Sequence, residues 1–213
     1  TVSSKSFTGL TPGTTYYFEF FAVGSASYTN SPANSPRVAI STNSTWTVTY
    51  DATTNGGTVS TTSATYVNGA TSLTLPTPTA RTGYTALGWY TQPTDGTKVG
   101  NAGSTYTPTG SVTLYFQWTG NTYTVTYKSS PSGTGADITQ SFTFPGSVTL
   151  RNLADSNAAF TRTGFYIIGW TTTSTANASQ THALASTYST AANLTLYPVW
   201  TAVPTFTSIA STR

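Results

Sequence analysis

The sequence predicts an all-β or β-dominated chain, and three observations carry that prediction. Aromatic residues make up 14% of it and charged residues only 6%. Thr and Ser together account for about a third of the 213 residues, and Thr, Tyr, Val and Trp suit a pleated, half-buried surface. No charged helix face appears at a 3.6-residue period, whereas runs such as Trp46-Thr47-Val48-Thr49-Tyr50 alternate with the period of two of a strand. Finally, one stretch occurs twice. Arg81-Thr82-Gly83-Tyr84-Thr85-Ala86-Leu87-Gly88-Trp89 returns as Arg162-Thr163-Gly164-Phe165-Tyr166-Ile167-Ile168-Gly169-Trp170, at an offset of 81 residues. A period of that length marks tandem small domains. The aromatic content also separates the chain from disordered sequences, which cannot bury enough apolar surface to fold.

Residues 1–43 hold two strand-like runs, at 14–23 and 37–42, behind a turn at Thr11-Pro12-Gly13. Tyr16, Phe18, Phe20 and Ala22 form an apolar face, and Tyr17, Glu19 and Phe21 a mixed one. The order Leu10-x-Pro12-Gly13-Thr14-x-Tyr16-x-Phe18 resembles the tyrosine-corner signature of fibronectin type III domains. That resemblance implies that the Tyr16 hydroxyl bonds back to the chain just upstream, with Leu10 and Pro12 as its companions. It covers only the back half of such a sandwich. An open apolar face and strand edge are costly, so the expectation is a piece of a longer chain, or a gap that another chain fills. The absence of Met, which makes Thr1 no translation start, points to the same expectation.

Residues 46–118 are the first repeat. Trp46, Val48 and Tyr50 point one way, and Thr47 and Thr49 the other. Asn55-Gly56-Gly57 is expected to supply positive φ for a tight turn. Leu73-Thr74-Leu75-Pro76-Thr77-Pro78 ends a short segment, because proline cannot continue a central ladder. Gly83 turns the chain into a strand over 84–90, Asp95-Gly96 makes another turn, and the last strand places Val112, Leu114, Phe116 and Trp118 inward. Residues 119–122 read as the whole linker, too short for a long flexible tether and therefore expected to restrict the mutual angle of the units.

The second repeat spans 123–200, a few residues longer, with the extra length mainly between Tyr127 and Arg162. Tyr123-Thr124-Val125-Thr126-Tyr127 answers to the strand at Trp46, and Thr195-Leu196-Tyr197 with Trp200 answers to Thr113-Leu114-Tyr115 with Trp118. Pro198 stands where the first repeat has Phe116, which suggests an edge position or an early end to pairing. Residues 202–213 read as a linker or the first strand of a further domain.

The order Thr-Val-Thr-Tyr-Asp-Ala, Asn-Gly-Gly, Leu-Pro-x-Pro, Arg-Thr-Gly-Tyr, Gly-Trp-Tyr, Asp-Gly-Thr and Val-Thr-Leu-Tyr-x-x-Trp over residues 47–118 resembles the Listeria–Bacteroides, or internalin B-type, repeat. The second copy departs from it. Lys128 replaces Asp51, Ser132-Gly133-Thr134-Gly135 replaces the Asn-Gly-Gly turn, and the Asp-Gly-Thr block is missing. The residues that carry both copies are Arg81, Gly83, Tyr84, Gly88, Trp89 and Trp118, answered by Arg162, Gly164, Phe165, Gly169, Trp170 and Trp200. The resemblance implies a small β-grasp-like unit with little or no helix. It also implies arrays on secreted or surface-anchored bacterial proteins, where such units act as stalks or interaction modules.

Chemistry is thin. The acids Glu19, Asp51, Asp95, Asp137 and Asp155 are scattered, and paired-carboxylate catalysis needs two of them close together. His182 is the lone histidine and reads as a loop residue, since a metal site wants several ligands. No nucleophile motif and no dense acidic calcium loop occurs. Neither an enzyme nor a cofactor is expected. Five Trp could build a core or a sugar platform, and burial of large side chains favours core. Arg81 and Arg162 fit stacking on an aromatic, or bonding to turn carbonyls, better than gripping an acidic ligand. An isopeptide bond from Lys5, Lys98 or Lys128 would need a buried lysine, against the habit of that residue. The triplets at Asn43, Asn177 and Asn193 match N-glycosylation acceptors, as chance expects in so Thr-rich a chain.

The net charge of +3 comes from eight dispersed basic residues, which excludes the clustered cations of nucleic-acid binding. No apolar run approaches the length of a membrane helix. With no Cys, stability must come from packed aromatics. These readings converge on an extracellular or cell-surface structural segment, a stalk or fibre. Its expected partners are neighbouring domains or head-to-tail copies, with the 203–213 strand of one copy completing the 1–43 half-domain of the next. The alternative is an adhesin or carbohydrate-binding module that meets host or cell-surface glycans.

Overall fold

The computed structural model describes residues 6–19 and 37–205. Two compact units divide the chain: residues 1–80 with 86–118, and residues 81–85 with 119–213. Sixteen strands and one short helix occur among the described residues. No helix there is long and apolar enough to cross a membrane.

Strands β1 (Thr15–Phe18) and β2 (Val38–Ser41) pair antiparallel, with Tyr16 opposite Ile40 and Phe18 opposite Val38. This register puts the four apolar side chains on one face, where the Phe7 ring also meets Phe18 at 4.7 Å. The expected continuation of the first run through 20–23 lies outside the described residues, as do residues 206–213.

In the first repeat the sheet is built from β3 (Thr45–Asp51), β4 (Ser63–Val67), β6 (Tyr84–Tyr90), β7 (Lys98–Gly100) and β9 (Val112–Gly120). Their spatial order is β4-β3-β9-β6-β7. A two-stranded ladder of β5 (Leu73–Thr74) and β8 (Thr105–Tyr106) stands apart. The second repeat reproduces this plan. Its strands are β10 (Thr122–Tyr127), β11 (Ile138–Thr143), β13 (Phe165–Thr171), β14 (His182–Ala183) and β16 (Leu194–Ala202). They lie in the order β11-β10-β16-β13-β14, and β12 (Val148–Thr149) pairs with β15 (Thr187–Tyr188). In both repeats the first and last strands are parallel neighbours, whereas β3 with β4, β6 with β7, β10 with β11, β13 with β14 and β13 with β16 pair antiparallel.

Alternation fixes which face is buried. Val48 and Tyr50 on β3, with Leu114 and Phe116 on β9, close a core around Trp89 together with Ala52 and Leu75. Val125, Tyr127, Leu196, Ile167 and Phe160 do the same around Trp170.

The structure departs from the sequence reading at four places. Pro198 is not on an edge strand: β16 is the middle strand of its sheet, and its antiparallel pairing with β13 runs through Pro198 to Ala202. The other expectation, an early end to pairing, holds on the β10 side, where the parallel ladder stops at Leu196. The reason is parity. Leu196 gives its carbonyl to the Lys128 N–H at 2.9 Å, so its backbone groups face β10, and those of Pro198, two residues on, face the same way. Opposite Pro198, Trp170 turns its own carbonyl away, toward Thr181 N–H at 2.9 Å. The missing donor therefore costs nothing on the β13 side.

Second, the extra length of the second repeat contains a helix, α1 (Leu153–Ala159), capped by the Asn152 side chain, which accepts from the Asp155 N–H. Third, β9 runs to Gly120 and β10 opens at Thr122, so most of the predicted linker is strand. Fourth, His182 lies in β14, not a loop. Ala202 closes β16, residues 203–205 belong to no strand, and the rest of the expected linker or first strand lies outside the described residues.

Candidate functional site

The repeated motif folds as a turn with a lid. The Tyr84 N–H donates to the Arg81 carbonyl at 3.1 Å, and the Phe165 N–H to the Arg162 carbonyl at 3.0 Å. The third residue has φ of 83° at Gly83 and 77° at Gly164, while Thr82 and Thr163 are not left-handed. That combination is a type II turn, which needs glycine at its third place. Each Arg then folds over the ring that ends the turn. The guanidinium carbon lies 3.8 Å from the Tyr84 ring centroid for Arg81 and 3.7 Å from that of Phe165 for Arg162. The aromatic–cation pair staples the turn from outside.

Beyond the turn the strand delivers its tryptophan to the core. Trp89 and Trp170 are both 0% exposed. Their indole N–H groups reach carbonyls of the preceding connection: Trp89 to Pro76 at 2.9 Å and Trp170 to Arg151 at 3.2 Å. Tyr50 and Phe116 meet the Trp89 ring edge to face, and Tyr127 and Phe160 the Trp170 ring. The preceding glycines are places of close approach. A Cβ on Gly88 would lie 2.5 Å from the Gly100 carbonyl oxygen, and one on Gly169 would strike the Gln180 side chain.

Trp118 and Trp200 are half-buried and pack against their cores. Each covers a glycine of the first loop. A Cβ on Gly57 would stand 3.1 Å from the Trp118 Nε1, and one on Gly133 would stand 2.6 Å from the Trp200 ring. The positive φ expected of the Asn-Gly-Gly turn is found at Gly56, at 73°, and not at Gly57. Gly57 is there for the indole. Asn55 does something the sequence did not reveal: its amide donates to the Pro93 carbonyl at 2.8 Å and to the Phe116 carbonyl at 3.0 Å. Trp46, also half-buried, stacks on Tyr66 with ring centroids 5.8 Å apart.

The hairpin near the start places Tyr16 with its hydroxyl accepting from the Thr11 N–H at 2.8 Å, five residues upstream. Pro12 lies within that five-residue loop, Leu10 just before it.

Ionisable groups are dispersed. Asp51 accepts from the N–H and hydroxyl groups of both Thr53 and Thr54, at 2.5–2.9 Å. These bonds, the Thr54 side chain's foremost, hold its carboxyl below the ordinary value. At the equivalent place Lys128 pairs with Asp137 at 2.6 Å on the surface, which raises its pKa. An exposed ion pair is not the buried lysine that an isopeptide bond requires. Burial pushes the Tyr50 and Tyr127 phenols up. Asn193, one of the acceptor triplets, takes the Thr124 N–H at 2.9 Å. The His182 ring contacts the Thr181 hydroxyl at 2.9 Å, and no cluster of three metal-ligating side chains occurs among the described residues.

Two copies of one turn-and-indole arrangement, on sheets of one strand order, make a repeat domain. A sequence model of the Listeria–Bacteroides repeat domain matches residues 46–117 and 123–199, more than half of the chain. The chain belongs to the Listeria–Bacteroides repeat family. Listeria–Bacteroides repeats are typical of bacterial surface proteins and are repeat domains, not catalytic ones. No solved structure matches the chain. The Listeria–Bacteroides match and the observed sheets agree on where each repeat begins.

Proposed function

We propose that this chain is a structural spacer, a stalk or fibre segment of a bacterial extracellular or cell-surface protein. The observation that carries the reading is the commitment of the indoles. Trp89 and Trp170 are sealed in two cores of the same strand order, their N–H groups bonded to the chain itself. A sugar-binding platform needs rings open to solvent, so this use of tryptophan favours the spacer over a carbohydrate-binding module or adhesin. The order second, first, fifth, third, fourth strand supports a β-grasp-like unit for each repeat. For residues 1–43, the bond to the Tyr16 hydroxyl and the apolar face of the β1–β2 pair support the back half of a fibronectin III-like sandwich. Head-to-tail strand complementation through 203–213 belongs to the same reading. It predicts concentration-dependent oligomers in sedimentation velocity that vanish when 203–213 is deleted.

The deciding experiment is a glycan array, followed by titration of tryptophan emission with any hit. The spacer reading expects no saturable binding. A glycan that binds saturably and alters Trp emission would replace it with the binding-module reading.

A further inference from the structure

In each repeat the first and last strands lie side by side and run the same way. Val48 pairs with Val112 and Asp51 with Tyr115; Val125 pairs with Leu194 and Tyr127 with Leu196. The chain therefore enters this pair at one end and leaves it at the other. β3 begins at Thr45 and β9 ends at Gly120; β10 begins at Thr122 and β16 ends at Ala202. Tension along the chain acts parallel to the two strands and in opposite directions on them. Interstrand hydrogen bonds lie across that direction, so they are loaded together and not one after another. Sliding must also drag buried side chains past each other, Val48, Tyr50, Leu114 and Phe116 in one repeat and Val125, Tyr127 and Leu196 in the other.

We infer that the parallel pair in each repeat is a shear clamp, and that these repeats bear tensile load passed through the chain. This deepens the spacer reading and rests on it for its biological setting. In the first repeat Asn55 adds a tie beyond the ladder, since its bond to the Phe116 carbonyl holds β9 just past the last paired residue, Tyr115.

The absence of Cys allows pulling points to be placed at will. The full chain is stretched through its two termini, and in a second form through Thr45→Cys and Gly110→Cys. Thr45 opens β3, and Gly110 lies just before β9, where a Cβ meets nothing within 4 Å. The second geometry peels the pair apart from one end. With terminal handles the repeats should release roughly 25 and 27 nm of contour, from about 73 and about 78 residues at 3.3–3.6 Å each. At equal loading rate the first repeat should rupture at about twice the force or more through the termini than through 45 and 110, because its bonds then fail together. Equal forces, or a stronger peeling geometry, would overturn the clamp and leave the spacer reading intact, since that rests on the buried indoles and is tested by the absence of glycan binding. If the double-Cys form does not fold, Asn55→Ala with terminal handles decides. It should weaken one of the two events and spare the other, and no change in either event would overturn the clamp.

Discussion

At Arg162 a single side chain shows how little charge this chain needs. The guanidinium sits over the Phe165 ring, across a turn whose third residue, Gly164, is held at φ 77°. A Cβ at Gly164 would meet nothing within 4 Å, so Gly164→Ala isolates the backbone strain. It should destabilise the second repeat by about 1–2 kcal/mol in urea unfolding, the cost of a left-handed L-residue. Asp51 offers a second test, with a sign. Its carboxyl is depressed below 3.8 by hydrogen bonds from Thr54 and Thr53, so it contributes stability above the ordinary carboxylate range and loses it as pH falls through the folded value. Asp51→Ala should therefore lower the unfolding midpoint at pH 7, and the gap to the parent should narrow steadily below about pH 4. The Arg-over-ring contact and the need for glycine in the turn were both legible in the sequence, because repetition singled them out. The Asp51 network was not: one aspartate with two threonines looks like any solvated turn.

At the scale of elements, alternation was the readable signal. It placed Val48, Tyr50, Leu114 and Phe116 inward and bounded the strand over residues 84–90 by its glycine turn and the loop that follows. What escaped was whatever depends on a partner strand. Whether Pro198 breaks a ladder depends on which neighbour its missing N–H would face, and that parity is a property of the pairing. Helix α1 escaped because seven residues, Leu153–Ala159, are too few to show a periodic face. The indoles permit sharper tests. Trp89→Ala should cost about 3–5 kcal/mol, as removal of a large core ring does, measured by denaturant unfolding of the intact chain. Gly133→Ala forces a Cβ to 2.6 Å from the Trp200 ring, whereas Gly57→Ala meets Trp118 at a more tolerable 3.1 Å. The Gly133 variant should lower the midpoint more than the Gly57 variant.

For the whole molecule, composition and architecture agree. The described ion pairs, Glu19 with Arg37 and Lys128 with Asp137, both lie at the surface, where such pairs contribute little. Raising NaCl from about 0.05 to about 1 M should move the thermal midpoint by no more than about 2 °C through screening of these pairs. A much larger fall would mean that charge matters more here than the cores suggest. The strands β7 and β14, at one border of each sheet, bear on a different hazard. They hold only three and two residues, so each offers few open amides to a stray strand. Units of kindred sequence placed in succession risk trading strands with one another while they fold. On that border an intruder finds almost nothing to zip onto, so any trading of segments between beads is confined to the opposite, longer edges, β4 with five residues and β11 with six.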